Sequence, residues 1–110
     1  MKPEGNIFKI SEFTDINKDE TFETLFSTDN LKIERIISHK SLVASDNWFD
    51  QEWNEWVVLL TGKATLEFKD GEKLELNTGD YILLPSHKVH RVIYTTEDPK
   101  CIWLGVHFNN

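Results

Sequence analysis

The chain has 110 residues, of which 39% are apolar, 28% charged and 12% aromatic, and its formal net charge is −7. A chain this long buries roughly two-thirds of its unfolded surface in one domain, and its aromatic content excludes a disordered chain, whose composition is poor in such residues. The acidic excess has the wrong sign for phosphate backbones or anionic lipid, so neither nucleic acid nor a membrane surface is an expected partner.

A single cysteine, Cys101, cannot close an internal disulfide. Met1–Ile10 lacks the apolar core of a secretory signal, and the longest apolar run, Trp56–Leu60, falls far short of the ~20 residues of a spanning helix. A cytoplasmic location is the expectation.

In chain order, Phe22, Leu25 and Phe26 recur at three- and four-residue spacing behind possible caps at Asp19 and Thr21, which predicts a short amphipathic helix over Asp19–Phe26. The acidic run from Asp15 to Glu23 reads as solvated surface. From about residue 31 the period changes to two. Leu31, Ile33, Arg35 and Ile37 form the more apolar face of a half-buried strand, with Arg35 carried inward among them. A short strand is expected at Lys40–Val43 and a loop at Ala44–Asn47. Glu55–Thr61 reads as an apolar strand ending at Gly62, with Glu55 sharing the inward face of Val57 and Leu59.

Lys63–Lys69 alternates, with Ala64, Leu66 and Phe68 on one face, and Asp70-Gly71 predicts a two-residue hairpin turn into Glu72–Leu76. Gly79 marks the next turn, Tyr81–Leu84 runs into Pro85, and His90–Thr95 carries His90, Val92 and Tyr94 on one face. The last strand, Cys101–Phe108, has an apolar even face and places Trp103, Gly105 and His107 on the other. Short strands with turns every eight to twelve residues, and no βαβ alternation, predict an all-β antiparallel sandwich or barrel with a short N-terminal helix. Residues 1–30 read as an extension and 31–108 as the barrel of one domain.

Two segments carry the candidate chemistry. Trp48–Trp56 holds three of the four tryptophans together with Asp50, Glu52 and Glu55, and Pro85–Arg91 holds His87 and His90. Carboxylate and imidazole together suit first-row divalent metals. Against this, Glu55 could be a buried ion-pair partner of Arg35 or Arg91, His90 a core histidine, and Trp53, Trp56 and Trp103 core or interface aromatics. His39, just past a strand, reads as surface.

These segments resemble the two motifs of the cupin family. In the first, His-x-His precedes a Glu by three or four residues, and a Gly follows after six more; in the second, Gly is followed by five residues, Pro-x-Gly, two residues and His. Glu55 with Gly62 matches the end of the first, and Gly79, Pro85 and His90 match the second, with His87 at the family's glycine. The first-motif histidines are replaced by Trp48 and Asp50, or by Phe49 and Gln51.

The resemblance implies a small jelly-roll barrel with an internal small-molecule site and a homodimer. It further implies a divalent metal (Mn, Fe, Zn or Ni) held by Glu55 and His90 with Asp50, Gln51 or His87. The implied activity is that of a metal-dependent oxygenase, isomerase or decarboxylase, and the alternative is a metal-free binding or sensing barrel. Trp48, Phe49, Tyr94, His107 and Arg35 are the expected ligand-binding residues.

Overall fold

The computed structural model describes residues 1–11, 14, 19–39 and 48–109. Eight strands follow in order: β1 (Glu20–Ser27), β2 (Leu31–Ser38), β3 (Asn54–Thr61), β4 (Ala64–Phe68), β5 (Lys73–Leu76), β6 (Tyr81–Leu84), β7 (His90–Thr95) and β8 (Cys101–Phe108). They pair antiparallel into a five-stranded sheet, ordered β1-β2-β8-β3-β6, and a three-stranded sheet, ordered β5-β4-β7. Every non-local pairing satisfies backbone groups that burial would otherwise leave costly. The two inner faces meet over Ile36, Val57, Leu59, Leu66, Phe68 and Trp103, which are all buried.

The sequence expectation fails at β1. Glu20–Ser27 is a strand paired with β2, although its apolar spacing has a helical period. Eight residues make only a marginal isolated helix, while the edge of β2 offers a full ladder of hydrogen bonds. A bulge between Thr24 and Phe26 absorbs Leu25 and produces the misleading three-and-four spacing. The expected strand at Lys40–Val43 and loop at Ala44–Asn47 lie outside the described residues.

Register also corrects two inward assignments. On β2 the interior face is the even one, with Glu34 and Ile36, so Arg35 points out of the barrel. There its guanidinium donates to the carbonyls of Ile7 (3.1 Å) and Lys9 (2.9 Å) and forks onto both carboxylate oxygens of Glu23 at 2.8 Å, fastening the N-terminal segment to the sheet. On β7 a register shift at Ile93 reverses the alternation, and Tyr94 emerges exposed opposite Thr65.

The β4–β5 connection also departs from the expected two-residue turn. The Gly71 amide donates to the Phe68 carbonyl at 2.9 Å and Gly71 alone takes positive φ (96°), so the turn is closed by a glycine bulge. Among the described residues, no helix is long and apolar enough to cross a membrane.

Candidate functional site

The polar groups of the interior gather at one end of the barrel. Glu55 on β3 lies opposite His107 on β8, and Glu34 on β2 lies opposite Gly105 on β8. Inward-facing positions on three adjacent strands therefore converge because the pleat sends alternate residues to one face. His107 Nε2 donates to Glu34 Oε1 at 2.8 Å and stands 3.7 Å from Glu55 Oε2. All three side chains are under 10% exposed, and their ligand atoms lie within 4.8 Å of one another.

Gly105 makes the convergence possible. A Cβ at this position would lie 3.0 Å from Glu55 Oε2, 3.6 Å from His107 Nε2 and 3.7 Å from Glu34 Cγ. The missing side chain leaves a hollow enclosed by the three groups.

Two spaces adjoin this cluster. An inner cavity of about 50 Å³ is lined by Glu20, Glu34, Gln51, Glu55 and His90 on its polar side and by aliphatic and aromatic side chains elsewhere. Outside it, a cleft of about 520 Å³ is bounded by Lys32, Glu52 and Trp53, with Glu34, Gln51 and His107 in its wall. Phe22, Glu34 and Gln51 border both spaces.

Charge in the inner cavity is unbalanced. Burial and the neighbouring carboxylates outweigh the Ser38 hydrogen bond and push Glu20 up to about 7. Burial also raises the Glu55 carboxyl, against the pull of His107 and His90. Burial would raise Glu34 too, but the hydrogen bond from His107, its charge and Lys32 prevail and hold Glu34 below the ordinary carboxylate range.

Of the residues singled out from the sequence, Glu55, His90, Gln51, Phe49 and His107 face these two spaces. His90 stacks on Phe49 at 5.6 Å and is held through Nδ1 by the Lys88 carbonyl at 2.8 Å. Asp50 and His87 instead bond each other at 2.7 Å on the surface, both more than half exposed. Trp48 lies between Lys69 and Arg91, 4.3 and 4.2 Å from its ring. His39, expected at the surface, is buried and bonded to Thr21 Oγ1 at 2.7 Å. Glu20 and Glu34 were not singled out, because Glu34 lies on the less apolar face of β2, which reads as outward, and β1 reads as a helix.

The profile of the Cupin domain family matches residues 44–107. The chain is a cupin. No curated protein matches it. Among solved structures, a "putative mannose-6-phosphate isomerase" from Ralstonia eutropha JMP134 is 32% identical, with 99% of this chain and 100% of that one covered and a TM-score of 0.84. Iron(II) HppE (16% identity, 81% and 50% covered, TM-score 0.71) shares the fold. So does the cupin domain of an XRE-family transcriptional regulator from Enterobacter cloacae (16% identity, 84% and 99% covered, TM-score 0.68).

His87 occupies the position at which other cupins have glycine, and it has a left-handed φ of 62°. That backbone conformation explains the family's glycine, since a Cβ there is strained. Of the metal-binding positions expected from the motifs, Glu55, His90 and Gln51 face the inner cavity, whereas Asp50 and His87 bond each other at the surface. The donors that do converge, two carboxylates and an imidazole around the Gly105 hollow, fit a first-row divalent cation.

Proposed function

We propose that this cupin is a metal-dependent enzyme acting on a small metabolite that enters the outer cleft and meets the reactive groups at the wall of Glu34, Gln51 and His107. One observation carries the reading. The inner cavity, at about 50 Å³, is too small for a metabolite, whereas the cleft, at about 520 Å³, is of ligand size and shares that polar wall. Trp53 offers an aromatic face and Lys32 an ammonium group at the rim. Among the three reaction classes the resemblance implies, the name of the Ralstonia relative favours isomerisation, and Lys32 is placed to meet a phosphate on such a substrate. A divalent metal (Mn, Fe, Zn or Ni), when bound, supplies Lewis-acid polarisation of a substrate oxygen. The chain's own groups orient the substrate.

The second reading, a non-catalytic binding barrel, is favoured by the outward-turned Asp50–His87 pair, which leaves the family's metal set incomplete. Titration with hexose phosphates decides between a working cleft and none. The expected result is a change in tryptophan fluorescence that disappears in Trp53→Phe, with turnover only in metal-loaded protein. A flat response to every hexose phosphate contradicts the cleft, and binding without turnover in loaded protein supports the second reading.

The same proposal includes a homodimer across the outer face of β3 and β6. There Trp56 and Tyr81 meet at 5.5 Å, and Tyr81 and Leu83 are 68% and 51% exposed. Light scattering is expected to give a dimer mass, and Tyr81→Arg a monomer.

A further inference from the structure

We infer that a divalent cation binds in the hollow over Gly105, held by Glu34, Glu55 and Nε2 of His107, in place of the site that the family's histidine motif would build. The inference rests on the reading of this end of the barrel as the functional site. Three observations converge on it.

The hollow exists only because position 105 has no side chain, and it is bordered by Glu55 Oε2, His107 Nε2 and the Cγ of Glu34. A Cβ would meet Glu55 Oε2 at 3.0 Å and His107 Nε2 at 3.6 Å. Two carboxylates and one imidazole nitrogen are the mixed donor set that first-row divalent ions accept.

Charge points the same way. Glu20, Glu34 and Glu55 line one small cavity, and no lysine or arginine lines it among the described residues. Lys32 touches Glu34 Oε2 at 3.5 Å, but from the cleft side and 41% exposed. Glu55 has no lysine or arginine in ion-pair contact among the described residues; its neighbours are His107, already hydrogen-bonded to Glu34, and His90 and Gln51. Buried carboxylates in this excess call for a cation or a proton.

His90 supplies the third observation. It is 6% exposed and lines the cavity, and its Nδ1 faces a carbonyl that can only accept, so the proton sits on Nδ1. The Nε2 lone pair has no protein partner among the described residues and is left for a water or a substrate atom next to the ion. A cavity of about 50 Å³ holds several waters, since each needs roughly 10–15 Å³. On binding, the ion takes the place of the Nε2 proton shared by His107 and Glu34, and that proton leaves for Nδ1 or for solvent.

Protein stripped with chelator is titrated with Mn²⁺ and with Zn²⁺, and stoichiometry is read by calorimetry while ¹⁵N-histidine NMR follows each ring. About one equivalent is expected to bind, with the His107 Nε2 resonance moved by Zn²⁺ and broadened by Mn²⁺. Glu34→Gln, Glu55→Gln and His107→Asn, checked for folding by circular dichroism, are each expected to weaken binding at least about tenfold, and Asp50→Asn and His87→Ala to leave it unchanged. If the variants fail to fold, the wild-type NMR result decides alone. No binding of either ion, or a response at His87 without one at His107, overturns the inference. Hexose-phosphate binding that persists in protein unable to take up metal leaves the cleft intact and removes only the ion. Metal uptake without ligand binding has the opposite meaning.

Discussion

Replacing Glu20 by Gln removes the ionisation of a buried carboxyl while keeping a side chain able to bond Ser38. In the folded protein burial holds this carboxyl at about 7, against 4.5 when unperturbed. The folded state therefore binds more protons than the unfolded chain between these values, so stability falls as pH rises through the window and levels off above it. At 1.36 kcal/mol per unit the full effect is about 3 kcal/mol. Urea unfolding in the presence of chelator, at pH values of about 4.5, 6 and 8, gives the difference between wild type and variant directly. Glu20→Gln is expected to match wild type near the acid end and to exceed it by up to about 3 kcal/mol at the alkaline end, roughly 10 °C in Tm for a chain of this size. Glu55, also raised by burial, is present in both proteins, and its repulsion of the Glu20 charge is part of the difference that the variant removes. A difference that stays constant with pH would refute the reasoning, because it would mean that Glu20 is solvated in the folded state.

Three further outcomes follow from backbone geometry. His87→Gly is expected to be more stable than His87→Ala by about 1 kcal/mol, the reverse of the usual surface order, because φ at this position is 62°; equal unfolding midpoints would contradict that. Gly62→Ala is expected to cost about 2–4 kcal/mol in chemical unfolding, since its φ is 84° and a Cβ would lie 2.6 Å from Thr96 Oγ1 and 2.7 Å from Cys101 Sγ; a loss under about 1 kcal/mol would show that the close approach relaxes freely. Gly105→Ala places a methyl group in the hollow and is expected to lower metal affinity about tenfold while the protein stays folded, read by calorimetry beside circular dichroism; unchanged affinity would mean that the ion, if bound, sits elsewhere.

Most of the strand positions were legible because β4 and β8 alternate at period two, β3 and β6 are short apolar runs, and turn residues such as Gly62, Gly71, Gly79, Pro85 and Thr96–Pro99 separate the strands. Glu55 and His90 were found for the same reason: each shares a face with unmistakable core residues. Arg35 was misplaced because the more apolar face of β2 is the outer one, where the N-terminal segment that Arg35 itself fastens lies against the sheet, while the inner face carries Glu34. Tyr94 was misplaced by a single bulged residue, which periodicity alone does not register. Glu34 went unseen as a consequence of the β2 error, and with it the meaning of Gly105, whose value depends on which side chains stand across from it in neighbouring strands. The family motif marked the correct end of the barrel. It brought Gln51 and His90 to the cavity of Glu55, and it did not point to Glu34 and His107, which come from β2 and β8 and lie outside the quoted motif positions.

In the proposed reading this cupin barrel keeps the motif's Glu55 and completes a metal centre with Glu34 and His107. Crystals grown with Mn²⁺ or Zn²⁺ and measured at the metal's absorption edge test this most directly. The account predicts one strong anomalous peak over Gly105, at roughly 2.0–2.3 Å from donor atoms of Glu34, Glu55 and His107. A peak between Gln51, Glu55 and His90, or no peak at saturating metal, would contradict it.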